Sequence, residues 1–131
     1  MKKGFTLVEL LGVIVIIGII ATIAAIAVDN RIKKGKTQTC EAQKENIIEA
    51  AKTWQTDNPI TSDTAVYVNN SSQTNDLTKS GYLDKDLKNP MTDEKYDDNT
   101  YVKITVTKAA NSDKQGYNYQ IVFGTNDTDC N

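Results

Sequence analysis

Met1-Lys2-Lys3-Gly4-Phe5-Thr6-Leu7-Val8-Glu9, with the apolar run over residues 10–28 that follows it, decides how the rest of this chain is read. The nineteen residues 10–28 carry no charged side chain. At about 1.5 Å of rise each, they match the ~30 Å hydrocarbon thickness of a bilayer. Two lysines precede the run and one carboxylate, Glu9, stands at its beginning. An acid at the centre of a membrane helix costs ~2.5–3.5 kcal/mol on insertion scales, so an acid beside such a run implies a job and a partner.

Two processing routes fit this front end. In one, the chain carries an ordinary secretory signal and is cut before Val28, after the small-residue stretch Ala25-Ile26-Ala27. Against it, such apolar cores usually run for about 7–15 residues, and this one is longer and would hold Glu9 near its start. In the other, the cut falls after Gly4 and the apolar segment is kept. Lys2-Lys3-Gly4-Phe5-Thr6-Leu7-Val8-Glu9-Leu10-Leu11 resembles the class III signal of type IV pilins and pseudopilins, closely over the first 25 or so residues. The resemblance implies that a prepilin peptidase cleaves between Gly4 and Phe5 and methylates the new amine of Phe5. It also implies that Glu9 meets the N-terminal amine of a neighbouring subunit and so sets axial register during assembly. The alternative for Glu9 is a side chain that merely snorkels to the membrane interface.

The run reads as a helix that packs against copies of itself. Gly18/Thr22 and Ala21/Ala25 are small-xxx-small pairs that let helices approach closely in lipid, and Gly12 adds another small position. Pilins often carry a proline near residues 26–29; here Ile26, Ala27, Val28 and Asp29 fill that window. Gly18 is then the obvious weak point within the span. Beyond it, Cys40, Gln43, Ile47, Ala51 and Trp54 recur at steps of three and four, widened by Ile48 and Ala50, with Glu41, Glu45, Glu49, Lys44 and Lys52 largely opposite. One helix over about 5–56 is expected, softened at Gly35 and ended by Asp57-Asn58-Pro59.

The remainder reads as a small head. Residues 61–75 are rich in Ser, Thr, Asn and Asp, with a possible short strand at Ala65-Val66-Tyr67-Val68. Residues 75–81 read as a capped helical turn closed by Gly81, after which Tyr82 and Leu83 plug into the core. Asn89-Pro90 is a further turn. The order Leu77-x-x-x-Gly81-Tyr82-Leu83, then Asn89-Pro90, resembles the segment after the long helix in many Gram-positive pilins and secretion pseudopilins. Val102, Ile104 and Val106 alternate with polar residues, as do Tyr117, Tyr119, Ile121 and Phe123, with a turn over 111–116 between them. An antiparallel sheet covering the Cys40–Trp54 face follows.

Composition narrows the function. With no histidine among 131 residues, the commonest general base and metal ligand is missing, and an enzyme is not expected. A net charge of −2 gives no electrostatic footprint for nucleic acid. The basic cluster Arg31, Lys33, Lys34 and Lys36 reads as a solvated helix face or a contact for anionic lipid. Asp93, Glu94, Asp97 and Asp98 form an acidic run in a region where some pseudopilins bind calcium, but the spacing fits no EF-hand loop, and no metal or cofactor is expected. Cys40 and Cys130 lack redox spacing and suit one disulfide in an exported head, free thiols being the alternative.

The expected fold is α+β: a long N-terminal helix, apolar then amphipathic, packed on a small antiparallel sheet. The expected division is 1–4 leader, 5–28 transmembrane or filament-core helix, and 29–131 head. The function implied by the resemblance is a structural subunit of a type IV pilus-like filament, held in the cytoplasmic membrane before assembly and at the cell surface after it. Its partners would be copies of itself in a helical homo-oligomer, the prepilin peptidase and the assembly machinery. A major pseudopilin of a type II secretion or DNA-uptake machine is one alternative, and a secreted binding module beginning at Val28 is another.

Overall fold

The computed structural model describes residues 4–108, 111 and 113–130. Its elements, in chain order, are α1 (Leu7–Asp57), β1 (Thr64–Tyr67), β2 (Tyr101–Lys108) and β3 (Gln115–Val122). The chain divides into two compact units, with the boundary between Gly35 and Lys36 inside α1.

The first unit is the apolar part of α1. It stays helical through Gly18 and through residues 26–29, because neither a proline nor an inserted side chain interrupts the ladder. The helix begins at Leu7 and not at the expected Phe5. The reason is local: Thr6 acts as N-cap, so Phe5 lies outside the helix.

The second unit is an α+β head. Cys40, Ile47, Ala50, Ala51 and Trp54 are the buried residues of α1 and form the stripe expected from the sequence. Ile47, Ala50, Ala51 and Trp54 pack with Val66, Val68, Leu77, Leu83, Tyr96, Val102 and Ile104, and Tyr82, Tyr117, Tyr119, Ile121 and Phe123 close over that cluster. Asn58 ends the helix, with both its backbone and side-chain amides donating to the Trp54 carbonyl. The ordinary gain from burying one Ile or Leu is ~1.5–3 kcal/mol. With so few large side chains in the core, the head needs further fastening.

The sheet is antiparallel in the order β1-β2-β3. Val102 and Ile104 in the central strand are fully buried, while Lys103 faces outward. β1 starts at Thr64 and ends at Tyr67, one residue earlier than the sequence suggests, and Val68 is buried just beyond it. Gln115 and Gly116 belong to β3 rather than to the expected 111–116 turn. Gly116 pairs with Thr107, whose hydroxyl lies 2.7 Å from where a Cβ would stand, so a larger residue there would have to displace that side chain. Residue 112 of that turn lies outside the described residues.

Candidate functional site

Thr6 and Glu9 close a reciprocal cap at the start of α1. The Glu9 backbone N–H donates to Thr6 Oγ1 at 3.3 Å, and the Thr6 N–H donates to Glu9 Oε2 at 3.1 Å. This is the Thr-x-x-Glu capping box, which satisfies two of the amides that every helix start leaves unpaired. The helix dipole also favours a carboxylate in the first turn, typically by ~0.3–1 kcal/mol. Glu9 is therefore fixed by its own chain through Oε2. The expectations for Glu9, a neighbour's amine or the membrane interface, did not include a partner in its own chain. The Thr6-Leu7-Val8-Glu9 spacing was the signal for the second role.

Gly4 and Phe5 stand ahead of this cap in non-helical backbone. Phe5 is 91% exposed. Lys2 and Lys3 lie outside the described residues. Between Phe5, ahead of the helix, and Ile32 sixteen large apolar side chains are exposed, among them Leu7, Leu10, Ile14, Ile17, Ile20 and Ile23. No described residue of the first unit covers them; the segment is long and apolar enough to cross a membrane. A face of that extent is not stable in water, where the largest exposed apolar patches of monomers reach only a few hundred Å². Lipid or the apolar surface of other helices is its natural solvent.

Details within the span agree with that solvent. Thr22 Oγ1 donates to the Ile19 carbonyl at 2.7 Å, which satisfies the hydroxyl without water. Gly12 and Gly18 have nothing within 4 Å of a notional Cβ. With Ala21, Thr22 and Ala25 they leave shallow places where another helix can approach. Beyond the span the basic residues separate in role. Lys33 lies 3.9 Å from Asp29 one turn back, and Lys36 Nζ reaches Asp93 at 3.1 Å, whereas Arg31 and Lys34 are exposed.

The head is held as a rigid cap by three devices that cluster near its chain end. Cys40 and Cys130 form a disulfide across a separation of 90 residues, and both are buried. Next to it, Lys44 reaches Asp129 at 3.0 Å and stands over the Phe123 ring. The Cys130 N–H and then Lys44 hold the Asp129 carboxyl below its ordinary pKa. A second device is the buried Asn89. It donates from its side chain to the Thr128 carbonyl at 3.3 Å and accepts the Met91 N–H at 2.9 Å, so the Asn-Pro turn is tied to the tail. Third, Asp127 accepts the Asp97 N–H at 2.9 Å and the Thr100 hydroxyl, whose oxygen in turn accepts the Gly124 N–H.

These ties also answer for the acidic run. Asp97 accepts the backbone amides of Asn99 and Asn126, the first of which is the main cause of its lowered pKa. Asp93 sits at φ 59° and pairs with Lys36. Asp93 and Asp97 are thus engaged within the head, and no group of three metal-ligating side chains forms among the described residues.

A buried carboxylate that the sequence reading did not single out lies at Asp76. It accepts the N–H groups of Asn70, Thr78 and Lys79 and the Thr78 hydroxyl. It thereby caps the turn that Gly81, at φ 84°, closes. That turn delivers Leu77 and Leu83 to the core and Tyr82 to the helix end, where its hydroxyl donates to Asp57 at 2.7 Å.

One family model matches the chain, the prokaryotic N-terminal methylation motif, over residues 1–25. No curated protein and no solved structure matches the chain. The matched segment contains Gly4, Phe5, Thr6 and Glu9 and most of the exposed apolar helix. A class III signal of this kind implies processing by a prepilin peptidase and handling by an assembly machinery. The chain thus carries the N-terminal methylation motif of type IV pilin-type signals, on an α+β structure consistent with the pilin and pseudopilin family.

Proposed function

We propose that this protein is the structural subunit of a type IV pilus-like filament, cut between Gly4 and Phe5, methylated on Phe5, and assembled through its apolar helix. The reading rests most on one observation: a methylation motif heads a helix whose large apolar side chains are exposed from Phe5 to Ile32. Before assembly that surface is covered by the cytoplasmic membrane. In the filament it is covered by the same surface of neighbouring copies, and the head faces outward at the cell surface. The division is then leader 1–4, core helix 5–28 and head 29–131. No step needs bond-breaking chemistry by this chain, so the protein is not an enzyme in this account.

Glu9 links the membrane stage to the filament stage. The capping box and the helix dipole each offset about 1 kcal/mol or less of its cost in lipid, which is ~2.5–3.5 kcal/mol for a central acid. The remainder favours a cationic partner. After the cut, the methylated amine of a neighbour's Phe5 can meet Oε1 while Oε2 keeps the Thr6 N–H. Replacing Glu9 by Ala removes that partner and leaves the apolar span intact. Electron microscopy of sheared cell surfaces should then find no filaments, while the variant remains processed and in the membrane. Normal filaments from Glu9→Ala would overturn the role.

A further inference from the structure

In the head, α1 and the loop after Leu83 leave an open groove of about 750 Å³. One wall is the helix face of Ala42, Glu45, Asn46 and Glu49, and the other is formed by Leu87 and Pro90. Lys88 also lines the groove, and its carbonyl accepts the Gln43 side-chain amide at 3.0 Å, which anchors that wall to the helix. The groove is acidic on the helix side. Glu49 has a surface partner in Lys52 at 3.5 Å, but no ion pair reaches Glu45 or the neighbouring Glu41 among the described residues.

The complementary surface exists in the same sequence. Val28, Arg31 and Ile32 share one helical face at steps of three and four. Val28, at the end of the apolar span, and Ile32, just beyond it, are 53% and 51% exposed, and Arg31 is exposed beside them. Lys34 follows Arg31 one turn on and is exposed as well.

We infer that the groove is the seat for this basic collar of a second copy of the chain, an inference that rests on the filament reading above. Val28 and Ile32 of the incoming copy cover the apolar side of the groove, formed by Ala42, Leu87 and Pro90. Arg31, supported by Lys34, faces Glu45 and Glu49. The Arg guanidinium can bridge two carboxylates one helical turn apart, which a single ammonium does less well. Partial exclusion of water by the apolar contacts strengthens these pairs relative to open surface pairs. The contact therefore supplies both adhesion and register between copies, in addition to the pairing at Glu9.

A charge-swap series in the full-length chain tests this, with filament yield in the sheared fraction as readout. E45K/E49K alone and R31E/K34E alone should each lower the yield at least tenfold, with membrane level, processing and the Trp54 fluorescence melt of the head unchanged. Combining all four substitutions should restore most of the yield. Wild-type yield from E45K/E49K overturns the inference, as does failure of the combined chain to recover while its head still melts normally. Absence of filaments from the unmodified chain in a host with working assembly machinery is a different result, and overturns the filament reading instead.

Discussion

Removing the bond between Cys40 and Cys130 should cost the head more than any single side chain in its core. The bond closes a separation of 90 residues. The chain-entropy relation gives an unfolded-state restriction of ~4.6 kcal/mol for a loop of that length at 25 °C. Domains of this size lose about 4–8 °C of melting temperature per kcal/mol, so the drop expected for C40A/C130A is ~20–35 °C. The tail keeps local ties in the mutant, notably Lys44 to Asp129 and Asn89 to Thr128, so it stays docked once the head is folded. That is why the loss should appear as lower stability rather than as a missing tail. Trp54 is the chain's single tryptophan and is 6% exposed in the core, so its fluorescence reports the head alone. Full-length protein in detergent micelles is heated with and without the substitutions, and wild-type protein reduced in denaturant serves as a second reference. A drop below about 5 °C in both would refute the idea that this crosslink compensates for a small core.

Two other perturbations of the head follow from its geometry. Asp76→Ala strands the buried Thr78 amide and removes the cap of the 77–81 turn, and should lower stability by about 3 kcal/mol, read as a lower urea midpoint with unchanged slope. Burial, then the nearby Asp127 charge, push the Tyr96 phenol up from 10.0 to about 12. Because the neutral form is the one favoured in the folded head, its contribution is complete below pH 10 and is lost as the pH climbs from 10 to 12. Head stability should fall across that window, and Tyr96→Phe should flatten the fall.

The parts of the structure that repeat with a clear period could be read from the sequence. The stripe Cys40, Ile47, Ala51 and Trp54 and the alternation Val102–Ile104 are set by which side chains avoid water, and that information is local. The position of Thr6 was equally local but competes with a stronger signal, since an apolar residue at Phe5 continues the hydrophobic pattern while the cap geometry excludes it from the helix. The start of β3 misled for a different reason. Gly116 resembles a turn residue, yet it lies in the ladder opposite Thr107, whose hydroxyl approaches it closely, a contact between strands that spacing along the chain does not reveal. Asp76, Asn89 and Asp127 lay deeper still. Each is a polar residue in a loop-like composition: Asp76 gathers the amides of its own turn, Asn89 ties that of Met91 to the distant Thr128 carbonyl, and Asp127 accepts the distant Asp97 amide. The exposed apolar stretch of the helix, in contrast, was legible almost whole, because a charge-free run of membrane length states its chemistry in its own residues.

The account stands or falls on where the mature chain begins. Mass spectrometry of the N-terminal peptide of protein taken from membranes or filaments of a host with a prepilin peptidase should show a chain starting at Phe5, with one methyl group on its amine. A chain starting at Val28 would contradict the account directly, since it would discard Glu9, the capping box and the apolar helix on which the proposed assembly depends.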